Sequence, residues 1–113
     1  MITLQKLILV APFSEEVKTE LLSQVDTFTD AKKFELIDMC WVLISQWYQN
    51  EIRARYEIAM REMAEGKKSY TKEELAKIPD QLFDALVNKL QAASTVEDIQ
   101  EVREKLADIT HKQ

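Results

Sequence analysis

The chain of 113 residues contains one glycine, two prolines, one cysteine and one histidine. Each scarcity excludes something. Sheet-rich folds need many tight turns, and those turns draw on Gly, Asn and Pro, so a single glycine points to helices joined by short connections. One cysteine allows no intrachain disulfide, and a reducing, cytoplasmic setting is the expectation. One Cys and one His cannot build a structural zinc site, and without a Glu-x-x-His pair there is no di-iron carboxylate bundle. Gly66 stands alone, so neither a glycine-rich phosphate loop nor an EF-hand loop is present. No metal and no cofactor is expected. The longest uncharged apolar run, residues 39–44, falls far short of the roughly 18–20 residues of a membrane span. The apolar run at residues 7–11 follows Lys6 and is too short for a secretory signal.

Charge of one sign is also not concentrated anywhere. The net charge is −5, with acids and bases interleaved along the chain. That balance disfavours binding to nucleic acid through its phosphates and names no other partner.

What is present is helical periodicity with start and stop signals. Residues 3–11 read as a short helix with Leu4, Leu7, Ile8 and Ala11 on one side, closed by Pro12. Ser14 followed by Glu15 and Glu16 opens a second helix reaching to about Thr27, with Val17, Leu21, Leu22 and Val25 facing inward. Thr29 and Asp30 open a third, and Gly66 offers its stop. Thr71-x-x-Glu74 is a capping box, with Tyr70 and Leu75 placed as a hydrophobic staple. This predicts a short helix ending before Pro79. Asp80 then starts a helix to about residue 93 bearing Leu82, Phe83, Leu86, Val87 and Leu90. Thr95-x-x-Asp98 opens the last helix, with Ile99, Val102, Leu106 and Ile109 inward. The brief connection at Ser94 and Thr95 predicts an antiparallel hairpin.

The expected fold is therefore all-α: a small bundle of about five to six helices around one long central helix at about 30–65. Residues 1–66 supply the first helices and the long one, and residues 67–113 form the C-terminal antiparallel helical hairpin, packed with the first part as one domain. The long helix is the informative element. About 36 residues without Pro or Gly would run about 54 Å. A compact domain of this size is only about 34 Å across, from a radius of gyration near 13 Å. On the wheel, Phe34, Ile37, Trp41, Ile44 and Tyr48 form one stripe, and Leu36, Cys40, Leu43 and Trp47 a second. Glu35, Asp38, Ser45 and Gln46 fall on the polar side. Beyond Tyr48 the stripe narrows to Ile52, Tyr56, Ala59 and Met63, and its spacing slips from 3-4 to 4-4 steps, as in a stutter.

No catalytic residue is expected. Cys40 lies in an apolar run where burial leaves a thiol inert, and His111 sits near the carboxyl end, where fraying is usual. Glu35 and Asp38 mark the solvent face of the long helix. Glu51 with Arg55 and Glu57 with Arg61 have the spacing of self-supporting helical ion pairs. The candidate partner interface is Tyr48, Ile52, Arg55, Tyr56, Met60 and Met63, since Tyr, Met and Arg are enriched at interface cores. The same stripe serves as internal core if the C-terminal hairpin folds back over it. The function expected is a non-catalytic protein–protein interaction or self-assembly module, its partner another protein or a second copy. The alternatives are an acidic inhibitor that mimics nucleic acid, or a pocket for an apolar ligand lined by Trp41, Trp47 and Phe83.

Overall fold

A computed structural model describes the backbone of residues 2–91 and 95–112 and the side chains of residues 2–91 and 95–108. Ser94 lies outside the described residues, and Ile109 and His111 lie outside the described side chains. Among the described residues the chain is all-helical. It forms α1 (Leu4–Val10), α2 (Glu15–Gln24), α3 (Asp30–Ala64), α4 (Lys72–Lys89) and α5 (Val96–Lys112), with a 3-10 turn at Val25–Thr27.

Every one of these helices begins on a hydroxyl. Thr3, Ser14, Thr29, Thr71 and Thr95 accept hydrogen bonds from backbone N–H groups three residues on, at 3.0–3.3 Å. Each such cap satisfies a donor that the helix cannot, for about 1 kcal/mol. Glu74 completes the capping box by accepting from the Thr71 N–H. The ends are equally local. Ala11 is extended, as the residue before Pro12 must be. At the end of α3, Gly66 takes φ +71°. The Gly66 N–H bonds the Met63 carbonyl and the Lys67 N–H bonds the Glu62 carbonyl, a Schellman closure. At the α4 end Gln91, a non-glycine residue, takes φ 55°, and its N–H bonds the Asn88 carbonyl.

The core gathers around the first half of α3. Cys40, Trp41 and Ile44 of α3 are buried with Leu7 and Ile8 of α1, Leu86 and Leu90 of α4 and its cap, and Val102 and Leu106 of α5. Each large aliphatic side chain buried here contributes about 1.5–3 kcal/mol. Both α4 and α5 pack chiefly on α3.

The structure departs from the sequence expectation at several points. Helix α4 runs unbroken from Lys72 to Lys89 with Pro79 inside it, so the two helices expected on either side of Pro79 are one. Phe34 is 68% exposed despite its place on the apolar stripe, whereas Ser45, assigned to the polar side, is buried at 1%. Val17 also faces outward, while Leu21 and Leu22 are half-buried. Periodicity defines a face, but the reach of neighbouring helices decides which part of it is covered.

The molecule measures 56 × 31 × 26 Å, with a radius of gyration of 16.6 Å. A compact chain of this length would have a radius near 13 Å. The long dimension is that of α3, whose 35 residues run about 52 Å at 1.5 Å each.

Candidate functional site

The second half of α3 lies beside the first part of α4 and the segment before it. Of its residues only Ala59 is fully buried, and it lies outside the main core cluster. Two tyrosines fasten α4 here. The Tyr48 hydroxyl donates to the Pro79 carbonyl at 3.0 Å, and the Tyr56 hydroxyl donates to the Leu75 carbonyl at 3.0 Å.

The second bond explains how a proline sits within α4. The Leu75 carbonyl would normally accept from the N–H four residues on, but that residue is Pro79, which has none. Tyr56 supplies the missing donor. Burial pushes the Tyr48 phenol up, and the negative charge of Asp80 adds to the shift.

Three of the candidate interface residues are thus half-buried against or beside α4: Tyr48, Ile52 and Tyr56, with Met63 half-buried further along. Arg55 is exposed, and Met60 is 55% exposed. The stripe read from the sequence does not stay together as one open surface. α4 covers part of it, and Met60 faces away from Arg55 on the opposite side of the helix.

Beside the covered stripe runs a groove of about 540 Å³ between α3, the segment before α4, and α4 itself. Ala54, Ile58 and Ala59 line it from α3, Lys68 and Tyr70 from the connecting segment, and Ile78 and Gln81 from α4, with Glu51 and Arg55 at its edge. Ile58 is 50% exposed. The Tyr70 hydroxyl donates to the Glu62 carboxylate at 2.7 Å, and that bond pushes its phenol up. Lys68 lies over the Tyr70 ring at 5.2 Å. Ala54 and Ile58 were not singled out from the sequence. Their signal was present in an i,i+4 apolar pair framed by Glu51 and Arg61, on a face that appeared only to be charged.

The ion pairs expected along this stretch, Glu51 with Arg55 and Glu57 with Arg61, do not form. Among the described residues, pairs form at Lys18–Glu15, Lys32–Glu35 and Lys67–Glu65. Arg55 and Arg61 are exposed, while Glu51 is half-buried.

Chemistry elsewhere is sparse. Cys40 is fully buried, and burial pushes its thiol up to about 11. A protonated, enclosed thiol is a poor nucleophile. Among the described residues no group of three or more His, Cys, Asp or Glu side chains is placed to hold a metal ion. No described helix is long and apolar enough to cross a membrane. Trp41 is buried in the core and Phe83 lies beneath Arg103 at 5.1 Å, while Trp47 lines a separate small pocket with residues of α1, α2 and α4.

Compared with protein-family models, with curated proteins and with solved structures, the chain has no significant match to any.

Proposed function

We propose that the protein is a non-catalytic self-assembly module, and that two copies pair through the groove face of the second half of α3. In this reading α3 is the central member of the bundle, and α4 and α5 form a C-terminal hairpin that covers part of it as one domain. A cytoplasmic setting accords with the single buried Cys40.

The observation that carries the reading is the surface left uncovered. The chain exposes 7728 Å². A compact protein of 13.2 kDa would expose about 6,400 Å². The excess, on the order of 1,300 Å², is larger than the roughly 800 Å² that one partner contributes to a standard interface. The groove lies on the half of α3 that protrudes.

The charges on this face support a second copy as the occupant. Around a two-fold axis near Tyr56, antiparallel α3 helices set Ala54 against Ile58 and Glu51 against Arg61, each twice. A small residue opposite a large one and an acid opposite a base make the strip self-complementary, as an isologous interface requires. Of the interface residues expected from the sequence, Arg55 stays at the rim, while Tyr48 and Tyr56 serve the monomer.

Light scattering coupled to size exclusion, over a wide concentration range, tests this. A dimer that becomes a monomer in Ile58→Glu, with an unchanged helical circular dichroism spectrum, is the expected result. A chain that stays monomeric at every concentration overturns it.

A further inference from the structure

A second feature, independent of the groove, lies at the other end of the bundle. Four helices converge on a pocket of about 160 Å³, lined by residues 10–12 at the end of α1, Lys18 of α2, Ile44 and Trp47 of α3, and Lys89 of α4. Its volume is close to that of apolar cavities of about 150 Å³ that accept benzene.

Ala11 and Ile44 form fully buried parts of the wall. The two lysines make it unlike a packing defect. Lys89 holds its ammonium 4.6 Å from the Trp47 ring centroid. The Lys18 side chain is only 17% exposed, unusually low for lysine. Among the described residues its acidic partner is Glu15, 3.8 Å away and 92% exposed. That distance is long for a hydrogen-bonded pair, so another anion can compete for the ammonium.

We propose that this pocket binds a small organic monoanion, a carboxylate carried on a planar body of about benzene size. The body fills the space against Ile44 and Trp47, and the carboxylate meets Lys18 and Lys89. Both halves are needed. A bare anion leaves the apolar wall wet, and a neutral body withdraws two ammonium groups from water without replacing their hydration. Glu15 at the rim disfavours a second negative charge on the ligand.

The test is a titration of the full chain, labelled with nitrogen-15, followed at the indole N–H of Trp47. The probes are sodium benzoate, its neutral counterpart benzamide, and sodium acetate. Benzoate is expected to give a saturable shift at Trp47, with a Kd of about 1 mM or tighter, while Trp41 in the core stays still. Benzamide and acetate bind at least about tenfold more weakly. Lys18→Met and Lys89→Met keep the apolar stems, and each weakens benzoate about tenfold. No saturation by about 10 mM benzoate overturns the proposal. So does equal binding of benzoate and benzamide, a comparison that needs no variant. Unchanged benzoate affinity in both folded lysine variants overturns it as well.

Discussion

Cys40 shows how a single residue ties burial to stability. Its thiol has no exposed surface, and burial raises its pKa from the usual 9.0 to about 11. Between these values the unfolded chain has lost the proton and the folded chain keeps it. The folded state then binds more protons, so stability falls as pH rises through that window. The thiol alone removes on the order of 2 kcal/mol by about pH 11. Tyr48, also pushed up, acts in the same direction, so the thiol must be isolated by difference. Urea unfolding at several values from about pH 8 to 11 should show a steeper loss for the native protein than for Cys40→Ala. The cavity that alanine leaves lowers stability by an amount independent of pH and does not alter the comparison. That Cys40 would be buried was legible in its apolar run. The exposure of Phe34 and the burial of Ser45 were not. Both lie near the edge of the apolar arc on the helical wheel, where a residue is covered only if a neighbouring helix reaches that turn.

At the scale of elements, the helix starts were the most legible part of the fold, because a capping hydroxyl acts on a backbone N–H only three residues away. Pro79 was the least legible. Proline costs a helix about 3 kcal/mol by removing a hydrogen bond and crowding the carbonyl four residues back. From α4 alone, a break is the sound expectation. What keeps α4 continuous comes from another helix, since Tyr56 donates to the stranded Leu75 carbonyl. This contact joins residues 19 apart in sequence, and no local pattern announces it. Tyr56→Phe should therefore cost about 1–2 kcal/mol, the penalty for leaving a partly buried carbonyl without a donor. In the background of Pro79→Ala, which restores an N–H for that carbonyl, the same change should cost less than half as much. A double-mutant cycle by chemical unfolding reads the difference as a coupling energy. Additive costs would mean that Tyr56 contributes packing alone.

At the scale of the whole molecule, the sequence already held a conflict between the length of α3 and the size of a compact domain. The 56 Å long axis and the 16.6 Å radius of gyration resolve it as protrusion. Which face of the protruding half stays open depends on where α4 docks, and that follows from the tyrosine contacts just described. Tyr48, Ile52 and Tyr56 are half-buried beside α4, and periodicity alone does not distinguish a side chain covered by its own chain from one awaiting a partner. The groove face carries a sharper prediction. Glu51 and Arg61 are about 15 Å apart along one helix, at 1.5 Å per residue, so they cannot pair within a chain. In an antiparallel pair each meets its opposite on the other copy, and the two-fold axis doubles the contact. Glu51→Arg alone, or Arg61→Glu alone, turns both contacts into like-charge pairs and should weaken dimerisation about tenfold at low salt. Combining the two restores opposite charges and should return the dimer constant to within about threefold of the original, as measured by sedimentation equilibrium or light scattering. Restoration by the double exchange requires Glu51 of one copy to face Arg61 of the other. A double variant as weak as the singles would place the axis elsewhere on α3.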